Sequence, residues 1–362
     1  MSTDWFDIYR CPACAGTLAR DPGRWRCEAC AAEFPVRRGV PILDLKESSF
    51  PGFLGVMRRR HGGEFLDLAE AQGWEAALRS IQRPGEPDRL LEAVAPNRVS
   101  WRYLIGLEPS SLVVDIGTGS GGVACQLSAD CRVVAVDRSH VDAAFVAIRA
   151  RQSGLQPLNS IVADGCRLPL RDGVADAVTL IGVLEWVGTD FPGRDPRESQ
   201  LEALREARRV LKPDGRLYLA IENGRYFGYY LGMPEPHARL RYVSLMEREA
   251  GERYSRDARR EPLLELTHSL PDYRALLAQA GFPGVEAYWL HPDYRLPHAV
   301  VPVDDPDIAR WYVDQYLDPR WYGGPVHQAM YAFFRYAPAE FLAHSVRDYG
   351  FVAHKEGGEI HA

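Results

Sequence analysis

Val113-Val114-Asp115-Ile116-Gly117-Thr118-Gly119-Ser120-Gly121 is the stretch from which the rest of the chain can be read. Leu112, Val113 and Val114 predict a buried parallel strand. The closely spaced glycines that follow let the backbone turn tightly under a nucleotide-like ligand. Asp115 stands at the strand tip, where a carboxylate can pair with a ligand ammonium. Gly117, Gly119 and Gly122 also satisfy the G-x-G-x-x-G spacing of dinucleotide sites, so this stretch alone leaves the ligand open. A second apolar run, Cys131 to Val136, ends at Asp137. An acid about 20 residues past the first glycine suits the ribose hydroxyls of either nucleotide class.

The order of the downstream segments decides between them. Asp164-Gly165-Cys166-Arg167-Leu168-Pro169 follows, then the run Asp176 to Val187. A helix is predicted over 198–211, a helix stop and turn over 211–217, and a strand over 217–221. This succession resembles class I S-adenosylmethionine (SAM) dependent methyltransferases. The resemblance implies an α/β, Rossmann-like, seven-stranded sheet with SAM as methyl donor. It assigns the donor to Asp115, Gly117, Thr118, Gly119, Gly121, Asp137, Arg138, Asp164, Gly165 and Ile181. Asp137 would hold the ribose and Asp164 the adenine amino group. Arg98 or Trp101, in a short helix ahead of the first strand, would touch the methionine end.

Cys11-Pro12-Ala13-Cys14 and Cys27-Glu28-Ala29-Cys30 form two C-x2-C knuckles separated by twelve residues. Cys11, Cys14, Cys27 and Cys30 can close tetrahedrally on one zinc ion. The chain shows no signal peptide, which predicts a reducing cytoplasm and favours metal over disulfides. Four protein ligands leave no open position, so this zinc is structural. So small a module has too little core to fold unaided, so losing the metal should unfold it and spare the rest. Phe34 to Leu43 resembles the last strands of the zinc ribbons in the tRNA-methyltransferase-activator family. Cys125, Cys131 and Cys166 read as packing residues.

The chain has 362 residues, 46% hydrophobic and 25% charged, with a formal charge of −6. That balance suits two or three packed units and disfavours a general nucleic-acid binder. Arg58-Arg59-Arg60-His61 is a basic cluster best read as a solvated helix face. No apolar run approaches membrane-spanning length.

Residues 1–46 are predicted to be the ribbon, 47–97 a linker with short helices, and 98–362 the methyltransferase domain. Two insertions, 223–269 and 291–347, should leave carboxyl ends of strands and form either a lid with a substrate pocket or a homodimer interface. The last strand is expected over 349–354. Residues 221–237 resemble methyltransferases of bacterial sugar and specialised-metabolite pathways. That resemblance implies a hydroxyl or amine acceptor on a small molecule or sugar. His237 and Glu185 are the catalytic candidates, His237 as base or anchor, and Trp186, Asn223 and Tyr226 the substrate-binding ones. His268, His291 and His298 are further candidates. Asp304, Asp305 and Asp307 read as helix caps, and no spacing suggests a second metal. Two alternatives stay open: an rRNA or tRNA base methyltransferase, because one such family also carries a four-cysteine module, and a non-catalytic ribbon partner.

Overall fold

Short valine-, leucine- and isoleucine-rich runs, each ending in a glycine or an acid, set the central sheet. The computed structural model describes residues 5–21, 23–45, 62–85, 88–155, 158–189, 194–318, 320 and 323–356. The basic cluster Arg58–His61 and the aromatics Trp321 and Tyr322 lie outside the described residues.

At the N-terminus, β1 (Leu18–Asp21), β2 (Arg24–Cys27), β3 (Glu33–Arg37) and β4 (Val40–Pro41) form an antiparallel sheet in sequence order. Among the described residues, helices α1 (Gly62–Gln72), α2 (Trp74–Ser80) and α3 (Arg89–Val94) follow, then a 3-10 segment at Pro96–Tyr103. The core continues with β5 (Leu112–Ile116), α4 (Ala124–Leu127), β6 (Arg132–Asp137), α5 (His140–Gln152), β7 (Leu158–Val162), β8 (Ala175–Ile181), α6 (Pro196–Val210) and β9 (Leu211–Glu222). Next come α7 (Phe227–Tyr230), α8 (Arg248–Arg259), α9 (Leu270–Gln279), β10 (Gly284–His291) and β11 (Ala299–Pro302). The last described elements are α10 (Pro306–Tyr316), α11 (Pro325–Tyr336), α12 (Ala339–Ser345) and β12 (Asp348–His354). Side-chain caps start several helices: Ser139 accepts from Asp142 N, Asp195 from Arg197 N and Ser269 from Asp272 N. Of the three expected caps, Asp305 caps α10, while Asp304 pairs with Arg274 at 2.5 Å.

The sheet order is β11-β10-β12-β9-β8-β5-β6-β7, with β5 to β9 parallel and β12 antiparallel to both neighbours. The order reverses between β5 and β8, and a ligand crevice opens at the carboxyl ends of strands at such a point. Because β12 opposes both β9 and β10, those two strands run the same way. Both insertions therefore leave the same carboxyl edge.

Two expectations need correction. Among the described residues the sheet has eight strands, not seven, because β11 in the second insertion pairs with β10. The turn predicted over 211–217 belongs to β9. Ala175 pairs with Leu211 and Ala177 with Arg216, so residues 212–215 form a wide bulge opposite Asp176. Lys212 Nζ donates to Asp176 at 2.6 Å and pins that bulge.

The N-terminal sheet grips the core at two points. Arg10 N donates to Pro169 O at 3.0 Å and Arg171 N to Ile8 O at 2.8 Å. Leu43 N donates to Val162 O at 2.7 Å. The two grips bracket the loop Asp164–Pro169. Phe6 and Tyr9 each meet Trp25 edge-on at 5.0 Å beside the first grip.

Candidate functional site

At the tip of β5, Gly117, Gly119 and Gly121 all have positive φ (72°, 52° and 74°). A Cβ at Gly117 would collide with the Val183 side chain, so glycine is required both by conformation and by space. Asp115 is buried, and its Oδ1 accepts from Thr179 Oγ1 at 2.6 Å. Its Oδ2 and the Thr118 hydroxyl are buried with no hydrogen-bond partner. Burial pushes the Asp115 carboxyl up, opposed by the Thr179 hydrogen bond. Asp137 accepts from Gly119 N at 3.0 Å and Ser139 N at 2.9 Å. Each of its oxygens keeps a lone pair for a ribose hydroxyl. Burial lifts its carboxyl to about 6 against the pull of those backbone donors. Asp164 accepts from Cys166 N at 2.9 Å, and Gly165 packs against Ile116. Arg138 Nε lies 3.8 Å from Asp44, which follows β4. Ile181 is half-buried at the end of β8. The sequence-predicted donor residues thus meet along one crevice edge.

The two residues offered for the methionine end part ways. Trp101 is buried and stacked on Tyr218 with ring centroids 4.5 Å apart, which makes it a packing residue. Arg98 donates from Nη1 to Arg295 O at 3.1 Å, and its buried Nε faces Gly122 without a partner. Its guanidinium therefore borders the glycine loop.

Beyond β8 the structure assembles a cluster that no sequence spacing announced. Glu185 sits in a 3-10 turn at Leu184–Trp186, Glu222 ends β9, and His237 belongs to the first insertion. His237 Nε2 is 3.4 Å from Glu222 Oε1 and 4.0 Å from both Glu185 Oε1 and Glu235 Oε1. Trp186 meets the His237 ring edge-on at 4.8 Å. Burial, with the charge of Glu222, lifts the Glu185 carboxyl to about 8. Burial alone would raise Glu222, but His237 and Arg295 outweigh it and hold the carboxyl at about 2. Burial disfavours the imidazolium of His237, yet Glu222, Glu235 and Glu185 together hold it at about 10. Three carboxylates around one imidazole thus call for a positive charge at their centre, either a proton on the ring or a cation bound to it. Glu222 and Glu235 were missed; an acid closing the apolar run of β9 was the available signal. Gly182 was also missed. Its φ is +65°, and a Cβ there would collide with the Tyr294 hydroxyl.

Asn223 does not face an acceptor. It is fully buried, and its amide donates to His344 O at 3.0 Å and Val346 O at 2.8 Å, tying the end of β9 to the start of β12. Tyr226 does line a cavity of about 400 Å³, with Met233, Trp289, His298, Met330 and Arg347. His291 binds the Tyr312 hydroxyl at 3.0 Å and packs edge-on to Trp289. His268 contacts Gln200 Oε1 at 2.7 Å. His291 also lines that cavity and His268 a second one beside Gly224 and Glu235, and burial lowers each histidine to about 4.

The four N-terminal thiols converge as the sequence predicted. Cys11 Sγ is 3.7 Å from Cys30 Sγ, Cys14 Sγ is 3.4 Å from Cys27 Sγ, and all four lie within 4.8 Å of one another. A tetrahedron of sulfurs at about 2.3 Å from zinc has edges of roughly 3.8 Å. A Cβ on Gly16 would stand 2.8 Å from the Ala29 Cβ and 3.2 Å from two of the sulfurs, so glycine is required under the cluster.

Comparisons with known proteins bear on the crevice. Residues 114–219 match the family model described as a methyltransferase domain. The malonyl-[acyl-carrier protein] O-methyltransferase of Geobacter sulfurreducens is 29% identical over 232 residues, covering 60% of this chain and 75% of that protein. The solved Haemonchus contortus phosphoethanolamine N-methyltransferase 2 with SAM is 15% identical at a TM-score of 0.44. It covers 81% of this chain, which spans 60% of that protein. A Haloferax volcanii complex of the Trm112 methyltransferase activator with a methyltransferase gives 16% identity and a TM-score of 0.43, covering 81% of this chain and 98% of that one. No helix among the described residues is long and apolar enough to cross a membrane. Residues 114–219 are a class I SAM-dependent methyltransferase domain.

Proposed function

We propose that the protein transfers a methyl group from SAM to an oxygen or nitrogen of a small molecule held at the carboxyl edge of the sheet. Bound SAM supplies a methyl already activated on a positively charged sulfur. The chain's own task is to hold donor and acceptor in line. Asp115 Oδ2 and Thr118 Oγ1, buried without partners, suit the donor's ammonium. Asp137 suits the ribose, Asp164 and Gly165 the adenine, and Arg98 the methionine carboxylate. Arg138 and Ile181 flank the same crevice.

One observation carries the acceptor class. The 400 Å³ cavity has the size of a small-molecule site, is walled by aromatic, thioether and histidine side chains, and is lined by Tyr226, just past β9, and His291, which ends β10, at the carboxyl edge of the sheet. Tyr226 and Arg347 on its wall neighbour the joint where Glu222 pairs with Asp348. The relative from Geobacter sulfurreducens is an O-methyltransferase by name, which supports oxygen as the acceptor atom. His237, with Glu185 and Trp186, is the polar group that positions the acceptor. The four thiols of Cys11, Cys14, Cys27 and Cys30 would hold one structural zinc.

Once an acceptor is found by screening with methyl-labelled SAM, His237→Ala tests this role. Losing this anchor among charged groups should lower kcat/KM by about 10- to 150-fold (roughly 1.5–3 kcal/mol) through a raised acceptor KM. Unchanged kcat/KM would remove His237 from the site.

A further inference from the structure

Glu185, Glu222 and His237 reach one point from three separate segments: the turn after β8, the tip of β9 and the first insertion. One ligand atom from each lies within 4.8 Å of the other two. Glu185 Oε1 and Oε2, Glu222 Oε2 and His237 Nε2 are all buried without a hydrogen-bond partner. Glu185 is wholly buried, and the Glu222 side chain is 3% exposed. Roughly nine in ten buried polar groups in proteins are satisfied, so converging exceptions call for a specific occupant.

The chemistry of the orphaned atoms says which occupant. Carboxylate oxygens are Lewis bases, and so is the imidazole nitrogen once a bound metal displaces its proton, so together they call for a cation. Arg295, the cation acting on both carboxylates at longer range, makes no hydrogen bond to either among the described residues. His237 Nε2 stands 3.4 Å from Glu222 Oε1 and 4.0 Å from Glu185 Oε1, so the first pair has a divalent ion's spacing and the second falls between that and an ammonium's. Donor atoms about 2.0–2.2 Å from a divalent ion stand roughly 3.0–3.6 Å apart. An ammonium bonded at about 2.8 Å would hold its acceptors roughly 4.6 Å apart. Glu235 Oε1, at 4.0 Å from the same nitrogen, adds negative charge at the rim. Its Oε2 accepts from His237 N at 2.8 Å and so fixes the loop that carries the imidazole. Mixed oxygen and imidazole ligation suits manganese, iron, cobalt or zinc, rather than the all-oxygen shell of calcium or the thiolates preferred by copper(I).

We propose that Glu185, Glu222 and His237 form a binding site for one divalent transition-metal ion, separate from the four-cysteine cluster. What the ion does there rests on the methyl-transfer reading. Three protein ligands leave coordination positions open, and an acceptor oxygen held at one of them would be polarised by the ion.

The test uses the full zinc-loaded chain, freed of loosely held ions and titrated with Mn²⁺ while free Mn²⁺ is read by electron paramagnetic resonance. Mn²⁺ is hard enough to leave four thiolates to zinc. The proposal expects one Mn²⁺ per chain, with nitrogen coupling from one imidazole in the pulsed spectrum. Glu185→Gln and Glu222→Gln should each weaken binding by about tenfold or more. Their folding is checked by zinc content and unfolding midpoint, and the nitrogen coupling of the unaltered chain serves if either fails to fold. Absence of Mn²⁺ binding, binding without nitrogen coupling, or binding that survives both substitutions overturns the site. SAM binding without Mn²⁺ binding would sink this site alone. Mn²⁺ binding without SAM binding would sink the methyl-transfer reading and leave the site standing.

Discussion

Burial lifts the Asp137 carboxyl to about 6, against an ordinary value near 3.8. Its two oxygens already accept from Gly119 and Ser139, and the ionised form is the better acceptor for ribose hydroxyls. The raised value means the ligand-free folded state holds a proton that the unfolded chain has lost. Asp137 therefore costs stability as pH rises from about 3.8 through 6, and a ligand that prefers the ionised form recovers that cost. SAM affinity should then fall as pH drops through 6, with Asp115 acting in the same direction because burial raises it too. Calorimetric titrations at pH 7.5 and pH 5 check this, and equal affinities would contradict it.

At the scale of elements, the sequence disclosed what depends on short-range pattern. β5, β6 and β8 are apolar runs ending at residues with an evident task, and the structure places them at the switch point. The knuckles of the ribbon were legible because each carries its two cysteines three residues apart. β11 escaped notice because it has four residues, bounded by prolines, and becomes a strand only by pairing with β10. The β9 bulge was misread as a turn because Lys-Pro-Asp-Gly signals one locally, while Asp176 and Lys212 hold it inside the ladder. The Glu185, Glu222 and His237 cluster could not be read, since its members are 37 and 15 residues apart and meet only once β8 lies beside β9. Asn223 had the right neighbours in sequence, but its amide is used by the chain entering β12.

At the scale of the whole molecule, the ribbon and the donor crevice are not independent. The sequence led to the expectation that a ribbon without metal would unfold and leave the core untouched. The ribbon's backbone instead bonds to Val162, Pro169 and Arg171, on both sides of the loop that carries Asp164 and Gly165. Arg10 adds an ion pair to Asp172 at 2.9 Å. From α6, Arg209 donates to Leu168 O and Leu170 O and braces the same loop. Stripping zinc, or Cys27→Ser, should therefore release one brace of the adenine side while the sheet stays folded. SAM affinity should fall by about tenfold (~1.4 kcal/mol), measured by titration before and after zinc is removed and then restored. Unchanged affinity after zinc loss would show that the ribbon serves something other than the crevice.

The claim beneath all of this is that the crevice between β5 and β8 holds one SAM molecule on Asp115, the glycine loop and Asp137. Isothermal titration of the full zinc-loaded chain at pH 7.5, alongside Asp137→Ala, tests it most directly. The account predicts a single saturable site per chain and an affinity loss of about 10- to 150-fold in the variant, the worth of a charged hydrogen-bond acceptor at roughly 1.5–3 kcal/mol. No saturable heat, or the same affinity in both proteins, would contradict it.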